Sequence, residues 1–296
     1  MMSDCRLCPR ECGANREKEE RGYCLSGGTL KVARAALHFW EEPCLCKDKG
    51  SGTVFFSGCN LRCVYCQNRD IALSQNGKAI TKERLVEIFF ELKEKGALNI
   101  NLVTPSHYIF PIAESIKTAK DKGFSLPFVY NTSAYEKAET LKALDGLIDI
   151  YMPDFKYWTS EAGAKYSHAP DYPERAKEAI DEMIRQCPEC IYDKDGVLKK
   201  GVIVRHMLIP NHVYDAKRII KYLFSTYGEK IIYSIMSQYT PMSHFDDFPE
   251  LNRTVTKKEY NSLLDFCIEL GIENAYIQGH HSAEESFVPS FDNTGV

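Results

Sequence analysis

The sequence predicts an α/β fold, a partial (β/α)6-type barrel with a Cys-rich N-terminal extension. Three observations carry that expectation. From about residue 51, short β-rich runs alternate with stretches whose apolar residues recur every three or four positions. About six such units follow one another, fewer than the eight that close a barrel. Before them, residues 1–48 are rich in Cys, Gly and charge and show little periodicity. The chain therefore divides into an N-terminal region, residues 1–48, and a barrel, residues 49–296.

The N-terminal region has too few apolar residues to hold itself together, so bound ligands are expected to staple it. The strand runs are residues 53–56, 99–103, 128–131, 148–152, 202–208, 230–236 and 275–278. Helical patterns cover residues 81–95, 108–122, 134–144, 172–185, 213–227 and 256–270. In the first of these, Leu85, Ile88, Phe89 and Leu92 share one face. Thr81 and Thr256 are good N-cap types. Asp195-Gly196 is a hairpin signal. Strand–helix alternation implies parallel strands joined by right-handed crossovers. A doubly wound sheet is the alternative, disfavoured because no Gly-rich dinucleotide turn follows the first strand.

At 44% hydrophobic and 26% charged, the chain has an ordinary globular composition. A net charge of -4 gives no reason to expect nucleic acid or an anionic membrane as partner. No apolar run is long enough to span a bilayer, and the start MMSDCRLCPREC has no signal-peptide character. The expected location is cytoplasmic, where thiols stay reduced. Of 12 cysteines, all but Cys187, Cys190 and Cys267 precede residue 67. Clustered thiols in a reducing compartment read as metal or cluster ligands rather than disulfides.

Cys59, Cys63 and Cys66 stand at C-x₃-C-x₂-C spacing directly after the first strand run. A cubane iron–sulfur cluster normally takes four cysteines. Three leave one iron open to a non-protein ligand, which favours an enzyme over an electron carrier. Zinc is the competing reading, but no second pair lies nearby and the histidines that follow the loop begin only at His107. Ligands bind at the C-terminal ends of parallel strands, so the loop belongs at the barrel mouth.

The stretch FFSGCNLRCVYCQN resembles the signature of the radical S-adenosylmethionine (SAM) superfamily. More narrowly, the chain resembles the subfamily related to pyruvate formate-lyase activating enzyme. NINLVTPSHY, FVYNTSAYE, IYMPDFKY, VRHMLIPNH, SIMSQYTP and VPSFDNTGV extend the likeness over nearly the whole chain. The resemblance implies a [4Fe-4S] cluster on Cys59, Cys63 and Cys66 whose open iron chelates SAM. It implies reductive cleavage of SAM to a 5′-deoxyadenosyl radical, which takes a hydrogen atom from the substrate. Reduced flavodoxin or ferredoxin is the implied electron donor. A glycyl-radical enzyme is the implied candidate protein substrate.

The resemblance also suggests cofactor-binding positions. Tyr65 falls where relatives place an aromatic beside the adenine; loop packing is its bland alternative. Asn101 and Thr104 lie where many relatives carry Gly-Gly-Glu-Pro for the SAM amino group. Here the stretch is NLVTP, with Pro105 matching and no acid. Asn131 and Ser133 fall near the expected SAM ribose or carboxylate, with an N-cap as the alternative for Ser133. Asp154 and Lys156 resemble the family's Asp-x-Lys, against a surface salt bridge. Of Arg205 and His206, alternation turns one inward. Arg205 is expected near the SAM carboxylate and His206 in the core. Gln238 is expected to face substrate or adenine.

Cys5, Cys8, Cys12 and Cys24 supply four thiols at metal-ligand spacing, for zinc or an auxiliary iron–sulfur cluster. Cys44 and Cys46 lie close to both sets. Cys187 and Cys190 form one pair without a second, and Cys267 sits on an apolar helix face. His280 and His281 follow a strand end. No residue is assigned as catalytic. The expectation is a glycyl-radical-enzyme-activase-like oxidoreductase. The alternatives are a radical SAM enzyme acting on a small molecule or another peptide, and a non-catalytic iron–sulfur or zinc protein.

Overall fold

The computed structural model describes residues 3–74, 76–278 and 289–296. In chain order its elements are β1 (Leu30–His38), α1 (Pro43–Cys46), β2 (Ser51–Phe56), α2 (Arg69–Ala72), β3 (Lys78–Ile80), α3 (Lys82–Glu94), β4 (Ile100–Val103), α4 (Ile109–Asp121), β5 (Phe128–Thr132), α5 (Ala138–Leu141), β6 (Ile150–Pro153), α6 (Ser160–Ser167), α7 (Tyr172–Gln186), β7 (Ile191–Tyr192), β8 (Leu198–Met207), α8 (Val213–Tyr227), β9 (Ile232–Met236), α9 (Lys257–Leu270) and β10 (Ala275–Ile277).

One sheet carries the strands in the order β10-β9-β8-β6-β5-β4-β2-β1-β3, with β7 paired to β8. From β2 to β10 the neighbours on that path are parallel. β1 and β3 add an antiparallel edge. The two ends, β10 and β3, do not pair among the described residues, so the barrel is partial, as expected.

Both faces of the parallel strands are covered, which explains their near-continuous burial. Val54, Leu102, Tyr130, Tyr151 and Val204 belong to the main core with residues of α3, α4, α7 and α8. On the other face, Val129, Ile150, Met152, Ile203 and Ile232 cluster around Cys44 and Leu45 of α1. The N-terminal segment thus fills the inner face near the strand starts. Space is left at the strand C-termini.

The caps follow the expectation. Thr81 accepts from the Arg84 amide, and Thr256 forms a full capping box with Glu259. Besides the short α1, α2, β3 and β7, which were not expected, three elements differ. Residues 30–38 form β1, so the sheet begins inside the segment assigned to the N-terminal extension. A register shift between Val32 and Arg34 breaks the alternation that would have revealed it. The helix expected over residues 134–144 shrinks to α5 and a short 3₁₀ turn, Lys142–Leu144. Ala134 has φ +60, which a right-handed helix cannot include. α6 lies where no helix was expected, and Thr159 caps it. No helix among the described residues is long and apolar enough to cross a membrane.

Candidate active site

The loop after β2 places the three thiols. Gly58 sits at φ +93, and a Cβ there would fall 2.2 Å from Ser26 Oγ. Only glycine lets the chain turn from β2 into Cys59. His107 braces the turn, its Nε2 donating to the Ser57 carbonyl at 2.8 Å. Burial pushes the His107 pKa down to about 3, so this brace is a neutral imidazole.

The amides of Leu61 and Arg62 point at Cys59 Sγ, at 3.3 and 3.4 Å. Such bonds favour a thiolate. Burial acts the other way and pushes the Cys66 thiol up to about 12, with Cys63 and Cys59 adding to the shift. Thiols gathered this closely become thiolates together readily only around a cation. Cys59, Cys63 and Cys66 all line one cavity of about 240 Å³.

Polar groups from successive strand ends line the same cavity: Thr104 after β4, Asn131 and Ser133 at β5, Asp154 and Lys156 after β6, Arg205 on β8 and Gln238 after β9. Thr104 has φ +57, uncommon for a β-branched residue, and its amide holds the Asn131 carbonyl at 3.0 Å. Ser133 caps no helix; its carbonyl accepts from Tyr172. Tyr65 is buried, donated to by Tyr157 at 2.8 Å and packed edge-on against Tyr157, Tyr166 and Tyr239. It packs in the loop and also lines the cavity. Gln238 Oε1 accepts from Gln278.

Arg205 does turn inward, and the anion it meets is the protein's own. Its Nε donates to Asp154 at 2.7 Å and its Nη2 to Asn131 at 2.9 Å. Lys156 binds the other Asp154 oxygen at 2.7 Å. This is a largely buried network, not a surface salt bridge, with Arg205 and Asp154 side chains 13% and 17% exposed. Burial opposes the Asp154 charge, but Arg205 and Lys156 outweigh it and hold its pKa below the usual range. His206 is a satisfied core histidine: Nδ1 donates to the Phe155 carbonyl at 2.7 Å, and burial lowers its pKa to about 4.

Asn101 lies behind the cavity wall. It does not line the cavity but donates to the carboxylate of Glu41 beneath it. Glu41 itself lines the cavity, accepts from Asn131 at 3.3 Å and stands 3.5 Å from Arg205. Burial raises its pKa despite Arg205. Sequence reasoning missed Glu41 because it follows β1, in the segment read as extension. Gln67, Asn68, Met236 and Pro289 also line the cavity unforeseen.

The residues present fit the implied groups. Three thiols on one cavity wall, with amides aimed at Cys59, suit a cluster with one open iron. For SAM, the cavity offers carboxylates, hydroxyls and amides at the strand ends. Beside Glu41, the buried Asn101 Oδ1 has no hydrogen-bond partner.

At the N-terminus Cys5, Cys8 and Cys24 are buried and Cys12 is exposed. Cys24 lies within electrostatic reach of Cys12 and Cys5, and Cys8 of Cys24 and Cys5. Among the described residues, no three His, Cys, Asp or Glu side chains stand at the spacing of a single ion. Cys44 packs in the inner cluster, and the Cys46 thiol faces the Glu41 carbonyl at 3.2 Å. Cys187 and Cys190 face separate carbonyls, of Asp149 and Lys230. Cys267 is core. His280 and His281 lie outside the described residues.

Comparison with known proteins gives the same picture. The family model of the radical SAM superfamily matches residues 53–223. An uncharacterized protein of Methanocaldococcus jannaschii is 28% identical over 93% of this chain and 78% of its own. A second protein of that organism, assigned provisionally as a glycyl-radical enzyme activating enzyme, is 23% identical over 71% of this chain and 86% of its own. Among solved structures, Streptococcus suis SuiB bound to S-adenosylmethionine superposes with TM-score 0.50 at 16% identity, over 79% of this chain and 51% of SuiB. The chain spans about half the length of SuiB.

Proposed function

The chain belongs to the radical SAM superfamily, and from that premise we propose that it cleaves SAM reductively and takes a hydrogen atom from a substrate polypeptide. The observation that carries the proposal is the three-thiol wall opening into a cavity lined by polar strand ends. Cys59, Cys63 and Cys66 would hold a [4Fe-4S] cluster. When bound and reduced, the cluster with SAM supplies the radical chemistry.

The chain's own residues do the rest. Glu41 is the acceptor for the SAM ammonium, replacing the acid that NLVTP lacks. Asp154 and Ser133 offer acceptors to ribose hydroxyls, and Tyr65 and Gln238 an aromatic and an amide to the adenine. Arg205 already holds Asp154 and Asn131, so it positions those two groups. Cys44 and Leu45 fill the inner face below and leave the mouth as the route in.

A polypeptide substrate suits that mouth, because Trp40, on the cavity lip, is 66% exposed and Phe39 beside it 50%. The 23%-identical relative makes a glycyl-radical enzyme the first partner to try. Flavodoxin or ferredoxin is the electron donor to try with it. Cys5, Cys8, Cys12 and Cys24 are proposed as a second site, for zinc or an auxiliary cluster.

The test is anaerobic reconstitution with iron and sulfide, then dithionite and SAM. Methionine and 5′-deoxyadenosine should form, and Cys63→Ala should abolish them. A fully loaded cluster that yields neither product sinks the proposal. Deuterium transfer from a labelled partner into 5′-deoxyadenosine then separates polypeptide from small-molecule substrates.

A further inference from the structure

Away from the cavity, the N-terminal region sets a buried cation beside its thiols. Arg16 is 1% exposed. Its Nε donates to the Gly27 carbonyl at 3.0 Å, and its Nη1 faces Cys5 Sγ at 3.9 Å. The guanidinium also lies near the Tyr108 ring, 5.6 Å from its centre. Its hydrogen bonds among the described residues go to a carbonyl and a thiol, with no carboxylate among them. A guanidinium cannot shed its proton, and a buried charge without a counter-charge is strongly unfavourable. Neutral thiols do not supply that counter-charge. Metal-bound thiolates do, since four of them outweigh the charge of a zinc ion or a cubane core.

The backbone is built for that approach. Cys5 and the segment after Cys12 are tied by Cys5 N to Ala14 O and Gly13 N to Cys5 O, both at 3.1 Å. A Cβ at Gly22 would fall 2.5 Å from Cys12 Sγ, so glycine lets the chain lie close against that sulfur on its way to Cys24.

The same region is fastened to the catalytic loop. The Cys59 amide donates to the Cys24 carbonyl at 3.2 Å, and Ser26 Oγ to the Ser57 carbonyl at 3.2 Å. Arg10 donates to the Asn60 and Leu61 carbonyls, at 2.8 and 3.5 Å. One hydrogen bond therefore links a backbone carbonyl of the four-thiol set to the first cysteine of the cavity.

We infer that Cys5, Cys8, Cys12 and Cys24 bind a second metal centre as thiolates, that Arg16 is its counter-ion, and that the centre holds the Cys59 loop in place. The inference deepens the proposed second site. It depends on the catalytic reading only in treating Cys59, Cys63 and Cys66 as a separate set.

The experiment uses the full chain with Cys59→Ala, Cys63→Ala and Cys66→Ala combined, purified anaerobically. One centre should survive, as about one zinc or about four iron with matching sulfide per chain. Zinc or iron decides which tetrathiolate centre it is; either supports the inference. Arg16→Met in the same background should lose metal to a chelator at least about tenfold faster, and Arg16→Lys should restore most of the retention. Stripping the metal should also open residues 3–28 to protease. A metal-free triple variant overturns the inference, and so does Arg16→Met that holds metal as firmly as its parent. A surviving centre together with no SAM cleavage by the unmutated chain overturns the catalytic reading alone.

Discussion

The two cysteine sets use the same ligand in different surroundings. Cys59, Cys63 and Cys66 stand half-buried on a cavity wall, faced by polar groups from β5, β6 and β8. Cys5, Cys8 and Cys24 are buried, Cys5 against Arg16, with Cys12 at the surface and none of the four on that cavity. One set is a ligand short and looks onto open space; the other has a full complement and looks onto a packed region. An open coordination position is what catalysis needs, and closure is what structural support needs. The environment of the thiols, more than their number along the chain, separates the two proposed roles.

The charged groups show the same contrast, and breaking them should sharpen it. Asp154 lies between Arg205 and Lys156, largely buried, whereas Asp4 meets Arg6 in an exposed pair. Asp154→Asn should cost about 3–5 kcal/mol of folding stability, because two buried cations lose their partner. Asp4→Asn should leave the denaturation midpoint unchanged within error. Equal effects in urea titrations would mean that the cavity network is no more desolvated than the surface.

Glu136 gives the next largest effect. It is buried and accepts from Ser106, Thr132 and Tyr130, and burial raises its pKa to about 7. The folded state therefore holds this proton more tightly than the unfolded state. The resulting stability is complete below the ordinary carboxylate value of 4.5 and is lost as pH rises through about 7. Denaturation midpoints should fall across that window, by at most about 3 kcal/mol in stability. In Glu136→Gln the slope should flatten; an unchanged slope would assign it to another group.

Glu41 provides the smallest predicted effect and the most local one. Glu41→Gln should weaken SAM binding about 10- to 100-fold, the loss of a charge-assisted hydrogen bond. Calorimetry on the cluster-loaded protein measures it. Because burial already disfavours the Glu41 charge, the thermal midpoint should not drop. Unchanged SAM affinity would remove Glu41 from the binding set and leave it as a strut between Asn101 and Arg205.

Much of this was legible in the chain. The seven expected strands all form, because each is a short apolar run bounded by turn residues, and parallel strands carry that pattern on both faces. The three-thiol loop was legible because its cysteines lie close together in sequence. β1 was not, since a register shift erases its alternation. Nor was the short α5, where Ala134 turns left-handed and Glu136 is drawn into its cage of hydroxyls.

By itself, the sequence determined the local things: strand order along the chain, the caps at Thr81 and Thr256, and the spacing that puts Cys59, Cys63 and Cys66 in one loop. Periodicity, capping and ligand spacing act over a few residues, so a linear reading can find them. Only the tertiary structure decided who faces whom. It brought Glu41 beneath the mouth, aimed Arg205 at Asp154 and set Arg16 beside Cys5. Those choices follow from burial and charge pairing between residues far apart in the chain, which no local pattern encodes.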